Sequence, residues 1–514
     1  MPQHIRRIRF RIVCLLTAGS VIFGFSFLSP MQAASPARRN VLFIAIDDLR
    51  PELGCYGKSY IKSPHIDRLA RQGRVFLRAY CQQAVCGPSR TSLLTGLRPD
   101  TTHCWGNATH FRRQVPQAIT LPQQFKLHGY HTEGMGKIFH GAFQSAYMGT
   151  RMHDPRSWST KFWMPGPRYY YTARGIATAR TVYARTAKKK GVSVDNWVNA
   201  FVRGLSTEAP DVADGVLYDG QVADRAIQSL RKLKDRPFFL AVGFIKPHLP
   251  FIAPLKYWRM YDADAIHPAA NSQAPQGVPA VAMTNWGELR YYSDVPNKGP
   301  LSKKLSRRLT HGYRACVSYV DAQVGWVLDE LDRLKLRENT IIVLWGDHGW
   351  HLGENAIWGK ATNFEQAAHA PLIVSVPGMK SAGQPTKALV EFVDIYPSLC
   401  ELAGLPIPRT LEGTSFVPLL NNPHRAWKLA AFSQFPHRAK GVGRVMGYTM
   451  RTSRYRFTEW AKPSRDFHAV ELYDHQKDPE ENENVAYRPG YAQLVERLTK
   501  QLHAGWTAAK PPRN

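Results

Sequence analysis

Four apolar runs constrain this chain more than any other feature of its sequence: VLFIAI at 41–46, PFFLAVGF at 237–244, TIIVLWG at 340–346 and PLIVSVPG at 371–378. A strand that alternates apolar and polar residues needs cover on one face, whereas a strand apolar throughout needs it on both. Helices must then lie on either side. One is written into HGYRACVSYVDAQVGWVLDELDRL, where Val317, Val320, Val324, Val327, Leu331 and Leu334 recur every three or four residues on one face. Another is expected from Tyr218 to Leu233, directly ahead of the second run. This passage from helix to strand predicts an α/β fold with a large central sheet, mostly parallel or mixed, flanked by helices, and favours it over a sandwich.

The flanks of this core read differently. MPQHIRRIRFR carries four arginines and no acid, the next nineteen residues are almost wholly apolar, and MQAAS offers small residues suited to cleavage. Residues 1–34 therefore read as an export signal, placing the protein in the periplasm or outside the cell. The competing reading is an uncleaved membrane anchor, because the run nearly reaches bilayer length. Near the other end, YTMRTSRYRFTEW and HAVELYDHQKDPEENENVA predict two short strands and a polar tail, followed by a helix from about Tyr491. A major domain over 35–440 and a smaller α+β subdomain over 441–514 follow from this. Pro254–Pro300 and Gly141–Tyr171 are rich in turn-forming residues and are expected to be loops.

Of the 514 residues, 44% are hydrophobic, enough for a large core and incompatible with a disordered or fibrous chain. The formal charge is +29, and cleavage after Ala34 leaves +25. Such a charge raises nucleic acid as a partner, but no reader module, Walker A loop, HExxH motif or dinucleotide glycine fingerprint accompanies it. No specific nucleic acid and no stable protein partner is expected. The six cysteines of the exported chain, Cys55, Cys81, Cys86, Cys104, Cys316 and Cys400, lack the paired spacing of a structural zinc site, although export permits one or two disulfides.

Chemistry concentrates at the ends of the apolar runs. The first run leads into Asp47 and Asp48, and the third into Asp347 and His348. Two carboxylates at a strand end would hold a hard cation if the turn brought both inward, or would simply be a solvated turn. Arg90 follows Cys86 by four residues, and His140 follows Lys137 by three, so each pair would share one face of a helical turn. His248 comes just after the second run and Lys360 soon after the third. Taken singly, each of these side chains would equally well pack, cap or solvate a loop.

The segment CGPSRTSLLTG at 86–96 closely resembles the signature of the sulfatase family, in which the cysteine of C-x-P-S-R is converted to formylglycine. Asp47 and Asp48 match that family's early metal pair, and GDHGWHLGE its later metal motif. DLRPELGCYG, GKIFHG, KPHLPF, WGKATNFE and ELYDHQKDPEENEN extend the resemblance in order, toward the branch of the family that acts on 2-O-sulfated uronic acids. The resemblance implies an alkaline-phosphatase-like sulfatase fold and a divalent cation, best taken as calcium, held by Asp47, Asp48, Asp347, His348 and the residue made from Cys86. It also implies a hydrated aldehyde at Cys86 whose one hydroxyl attacks sulfur and whose other lets the intermediate collapse. Arg90 would organise that group, Lys137 would hold it and the sulfate, Asp347 would take the first proton and His140 would assist the elimination. His248 would donate to the departing alcohol, and Lys360 would neutralise charge there or donate instead.

The partners so implied are a sulfated polysaccharide or oligosaccharide and the enzyme that makes formylglycine. Arg112, Arg113, Lys303, Lys304, Arg307 and Arg308 would line an outer path for the glycan. Two other readings remain: a phosphate- or phosphonate-ester hydrolase, and an exported, nonenzymatic polyanion-binding protein.

Overall fold

The first apolar run is strand β1 (Asn40–Ile46), at the middle of a six-stranded sheet. The others are β2 (Arg74–Val75), β3 (His131–Gly136), β4 (Phe238–Phe244), β5 (Thr340–Gly346) and β6 (Leu372–Ser375), in the order β2-β6-β5-β1-β4-β3. β3, β4, β1 and β5 run parallel, while β6 is antiparallel to β5 and to β2, so the sheet is mixed. The computed structural model describes residues 38–140, 153–166, 168–191, 193, 202–439, 441–462, 464 and 466–512. The expected export signal 1–34 and residues 141–152 of the expected loop lie outside them. Among the described residues no helix is long and apolar enough to cross a membrane.

Both faces of the sheet are covered, as uninterrupted apolar strands require. Leu42, Ile44 and Ile46 of β1 pack into one core with helices α2 (Tyr218–Leu233) and α4 (Lys303–Arg333). Val41, Phe43 and Ala45 point the other way, into a core shared with α1 (Cys86–Thr95) and α5 (Ile395–Leu402). Each of the larger of these side chains contributes roughly 1.5–3 kcal/mol by leaving water. The loop expected over 254–300 holds only short helical turns, among them α3 (Gly287–Arg290).

Beyond this layer lies a smaller antiparallel meander, β7 (Ala430–Ala439), β8 (Gly443–Thr452), β9 (Tyr455–Ala461) and β10 (His468–Asp474), backed by α6 (Ala492–Ala508). Gly441 lies in the turn between β7 and β8. Ser433 Oγ donates to the Cys81 carbonyl at 2.6 Å and the Gln434 amide to that of Gln82 at 2.8 Å, while Asn363 Nδ2 donates to Gly447 at 3.0 Å. The meander thus braces the segments leading to Cys86 and away from Lys360. None of the six described cysteines is paired.

Candidate active site

Parallel register brings the functional segments to one edge of the sheet. Ile46 pairs with Phe244 on one side and Gly346 on the other, and Gly136 pairs with Gly243. The residues that follow, Asp47 and Asp48, Lys137 to His140, Lys246 to His248, and Asp347 and His348, all leave the sheet at its carboxyl end, where open α/β sheets hold their ligands. Gly136 and Gly243 make the convergence sterically feasible. At φ 69°, Gly136 has a conformation that disfavours a side chain, and a Cβ there would lie 1.9 Å from the Gly243 carbonyl oxygen. A Cβ on Gly243 would lie 2.2 Å from the Lys137 carbonyl oxygen.

Cys86 is the first residue of α1 and is 1% exposed, with every residue of that helix buried. Its sulfur lies 3.3 Å from His348 Nε2 and 3.3 Å from Lys360 Nζ. Burial, with the Asp47 carboxylate next, pushes the thiol well above its ordinary value, so an unmodified sulfur stays protonated at neutral pH. Arg90, one turn on, is fully buried between the two acidic segments. Its Nε donates to Asp347 Oδ2 at 2.8 Å, Nη2 to Asp47 Oδ1 at 3.0 Å, and Nη1 to the carbonyls of Lys137 and Ile138.

The acids are closely matched by cations. Lys137 Nζ pairs with Asp47 Oδ2, and Lys360 Nζ with Asp48 Oδ1 at 2.6 Å. Burial alone would raise Asp47, but Lys137, His248 and Arg90 outweigh it and hold the carboxyl well below its usual range. At Asp48 burial prevails and raises it despite Lys360. Burial, reinforced by the Lys137 charge, keeps His140 well below its ordinary value, and neither of its ring nitrogens has a partner. Hence it is a neutral imidazole with both nitrogens open to a ligand.

Asp47, Asp48, Cys86 and His248 offer ligand atoms within 4.8 Å of one another, as do Cys86, Asp347 and His348. The donor set suits a divalent cation. Asp48 Oδ2 is buried with no hydrogen-bond partner, and His348 Nδ1 donates to the Gly349 carbonyl at 2.9 Å, leaving the Nε2 lone pair turned toward Cys86 and Asp48. Asp48 itself has φ 57°, and Tyr313 Oη donates to its carbonyl at 2.8 Å.

His248 is presented by a loop that Asp219 and Lys246 hold. Asp219 accepts the amides of Ile245 and Lys246, each at 2.8 Å, and Lys246 Nζ donates to the carbonyls of His248 and Pro250 at 2.8 and 2.6 Å. Asp47, Asp48, Cys86, Arg90, Lys137, His248, Asp347, His348 and Lys360 thus form one contacting cluster, and His140 is buried close enough to feel the Lys137 charge. Of the outer cations, Arg112 is turned inward instead: its guanidinium serves both Asp154 oxygens, Gln123 Oε1 and the carbonyls of Pro116 and Ala118. Arg307 and Arg308 pair with Asp264 and Asp294. One residue escaped the sequence reading, Glu288 of α3, whose carboxylate reaches both His248 and Lys360. Only its place among aromatic residues in NWGELRYY set it apart from the rest of the loop.

A mixed sheet of this order, with a buried cysteine, paired acids and lysines at its carboxyl edge, presents a site suited to a divalent cation and to a charged ester. The sulfatase family model matches residues 39–405, and that of the N-sulphoglucosamine sulphohydrolase C-terminal region matches 353–507. The chain belongs to the sulfatase family, and it is a sulfuric-ester hydrolase. It is similar to iduronate 2-sulfatase of Mus musculus, at 36% identity over 91% of this chain and 94% of that one, and of Homo sapiens, at 35% over 87% and 90%. Among solved structures, the phosphonate monoester hydrolase of Agrobacterium radiobacter shares the fold with a TM-score of 0.72 at 23% identity, covering 91% of this chain and 95% of that one. A 2-O GAG sulfatase shares it with a TM-score of 0.68 at 20% identity, covering 92% of both.

Proposed function

We propose that the chain removes the 2-O-sulfate of a uronic acid residue in an acidic glycan, through formylglycine made from Cys86. The observation that carries the reading is the meeting at Cys86 of His348, Lys360 and the Asp47–Lys137 and Asp347–Arg90 pairs, all buried. The similarity to two iduronate 2-sulfatases supports the uronate.

In this reading Asp47, Asp48, Asp347 and His348, with the residue derived from Cys86, hold a divalent ion, and an oxygen-rich set with one imidazole favours calcium. Such an ion would neutralise sulfate charge and stabilise negative charge on the nucleophile. The hydrated aldehyde supplies the attacking hydroxyl and the second hydroxyl that permits release. The chain's own groups do the rest. Arg90 holds Asp47 and Asp347 in fixed register, so Asp347 is oriented to receive the proton of the attacking hydroxyl. Lys137, anchored on Asp47, faces the sulfate oxygens. His140, neutral and unpartnered, is the base that removes the second proton as sulfate leaves. His248 protonates the departing alcohol oxygen, with Lys360 beside it offsetting charge.

Peptide mass analysis of the exported protein should show loss of sulfur and gain of the aldehyde at Cys86, and Cys86→Ala should lower release of sulfate from a 2-O-sulfated uronide by at least about a thousandfold. Full release by that variant would refute the assignment. Faster turnover of 6-O- or N-sulfated sugars would overturn the uronate, and faster turnover of a phosphonate ester would favour the phosphonate hydrolase instead.

A further inference from the structure

Glu288 bridges the two groups on which departure of the alcohol depends. Its Oε1 lies 3.0 Å from His248 Nε2 and its Oε2 3.3 Å from Lys360 Nζ. His248 Nδ1 donates to the Leu249 carbonyl at 2.6 Å, which fixes the ring, and because the facing Glu288 carboxylate can only accept, Nε2 carries a proton as well and is the nitrogen that delivers it. Lys360 Nζ is shared with Asp48 and the Cys86 sulfur. One carboxylate therefore sets the spacing of both candidate donors.

The loop that delivers Glu288 is held rigidly. Leu289 and Tyr292 are buried beside it, and Trp286 packs near Ile357, Phe364 and Tyr473. Arg290 laces the turn together, donating to the carbonyls of Asn285, Pro296 and Gly299 at 3.0, 2.8 and 2.7 Å and lying 3.5 Å over the Trp286 ring. The Glu288 side chain retains 26% exposure, which places it at the mouth of the otherwise buried cluster. Burial would raise its carboxyl, but Lys360 and His248 hold it well below the usual range, so it is an anion.

We propose that Glu288 is a positioning residue for the proton donor: its two oxygens aim His248 Nε2 and Lys360 Nζ at the oxygen of the leaving alcohol. The inference rests on the sulfatase reading above. As the bond from sulfur to the alcohol oxygen breaks, the electron pair passes to that oxygen, and the proton on His248 Nε2 follows to give the neutral alcohol. Glu288 contributes no atom to either product. Need for this proton scales with the basicity of the leaving oxygen: a sugar alkoxide requires it, and a nitrophenolate-type anion leaves without it.

The test is the full-length Glu288→Gln variant, nearly unchanged in volume, compared with the parent on a 2-O-sulfated uronide and on 4-nitrocatechol sulfate. The expected result is a fall in kcat of at least about 30-fold on the uronide with KM within about threefold, and kcat on the aryl sulfate within about threefold. Retained aryl turnover also shows that the variant folds. Equal losses on both substrates would overturn the proposal, assigning Glu288 to the sulfur side or to the fold, and so would no loss on the uronide. A parent inactive on both would sink the sulfatase reading itself and this inference with it.

Discussion

Asp48 combines two unfavourable features at one position. Its left-handed backbone costs an ordinary side chain about 1–2 kcal/mol, and its Oδ2 is buried without a partner. A bound cation would compensate both, so the ion should act as a folding ligand as well as a catalytic one. At a concentration one hundred times its dissociation constant it should stabilise the fold by about 2.7 kcal/mol. Calcium added to chelated protein should therefore raise Tm, and Asp48→Asn should abolish most of the increase; an unchanged Tm in the parent would count against a cation at this site. Asp48 was legible in the sequence because it follows an apolar strand directly, and Cys86 because its signature is contiguous. Glu288 was not, since its meaning comes from the docking of an irregular loop against His248 and Lys360, which no local spacing encodes. Arg112 failed for the opposite reason: a basic pair in sequence looks solvated, whereas Asp154, forty-two residues on, draws one of its members inward.

Among the elements, β1, β4, β5 and the antiparallel β6 were readable as apolar runs, because burial on both faces leaves few polar positions along them, whereas the parallel strand β3 opens on His131, Thr132 and Glu133 and carries no such run. The crossing of Gly136 over Gly243 was not readable either, since each glycine acts through a close approach to a residue distant in sequence. The C-terminal meander depends on similarly distant charges. Arg456 Nε donates to Glu481 Oε1 at 2.5 Å and His475 Nε2 lies 2.8 Å from the same oxygen, while Arg451 reaches Glu365 at 2.9 Å. Burial would raise Glu481, but the Arg456 charge and the His475 hydrogen bond bring it from an ordinary 4.5 down to about 2. A depressed folded-state value means that the stabilisation is fully present above pH 4.5 and is lost as the pH falls toward about 2. By linkage this one group contributes roughly 3 kcal/mol. Thermal melts between pH 5 and 2 should show this acid loss, and Glu481→Gln should flatten it; an identical pH dependence in the variant would exclude Glu481 as its source.

For the whole molecule, the formal charge, +29 for the full sequence and +25 if the first thirty-four residues are removed, is a long-range field around a site whose own cations and acids nearly balance. Such a field speeds encounter with a polyanion and is screened over about 8 Å at physiological salt. Raising ionic strength from 20 to 300 mM should increase KM for a sulfated oligosaccharide several-fold and leave that for a sulfated monosaccharide nearly unchanged; equal sensitivity would assign the effect to the pocket. The site also has a history in time. Cys86 lies 262 residues ahead of His348 and Asp48 lies 312 ahead of Lys360. During synthesis at about 5–20 residues per second, roughly 10–50 s pass between the appearance of Cys86 and that of His348. Through that interval β5 is incomplete and the C-terminal meander has not been made, so the α1 segment lacks elements that later close over its first residue. Any chemistry that must reach the Cys86 sulfur is therefore favoured while the chain is growing, and completion of the fold closes that access.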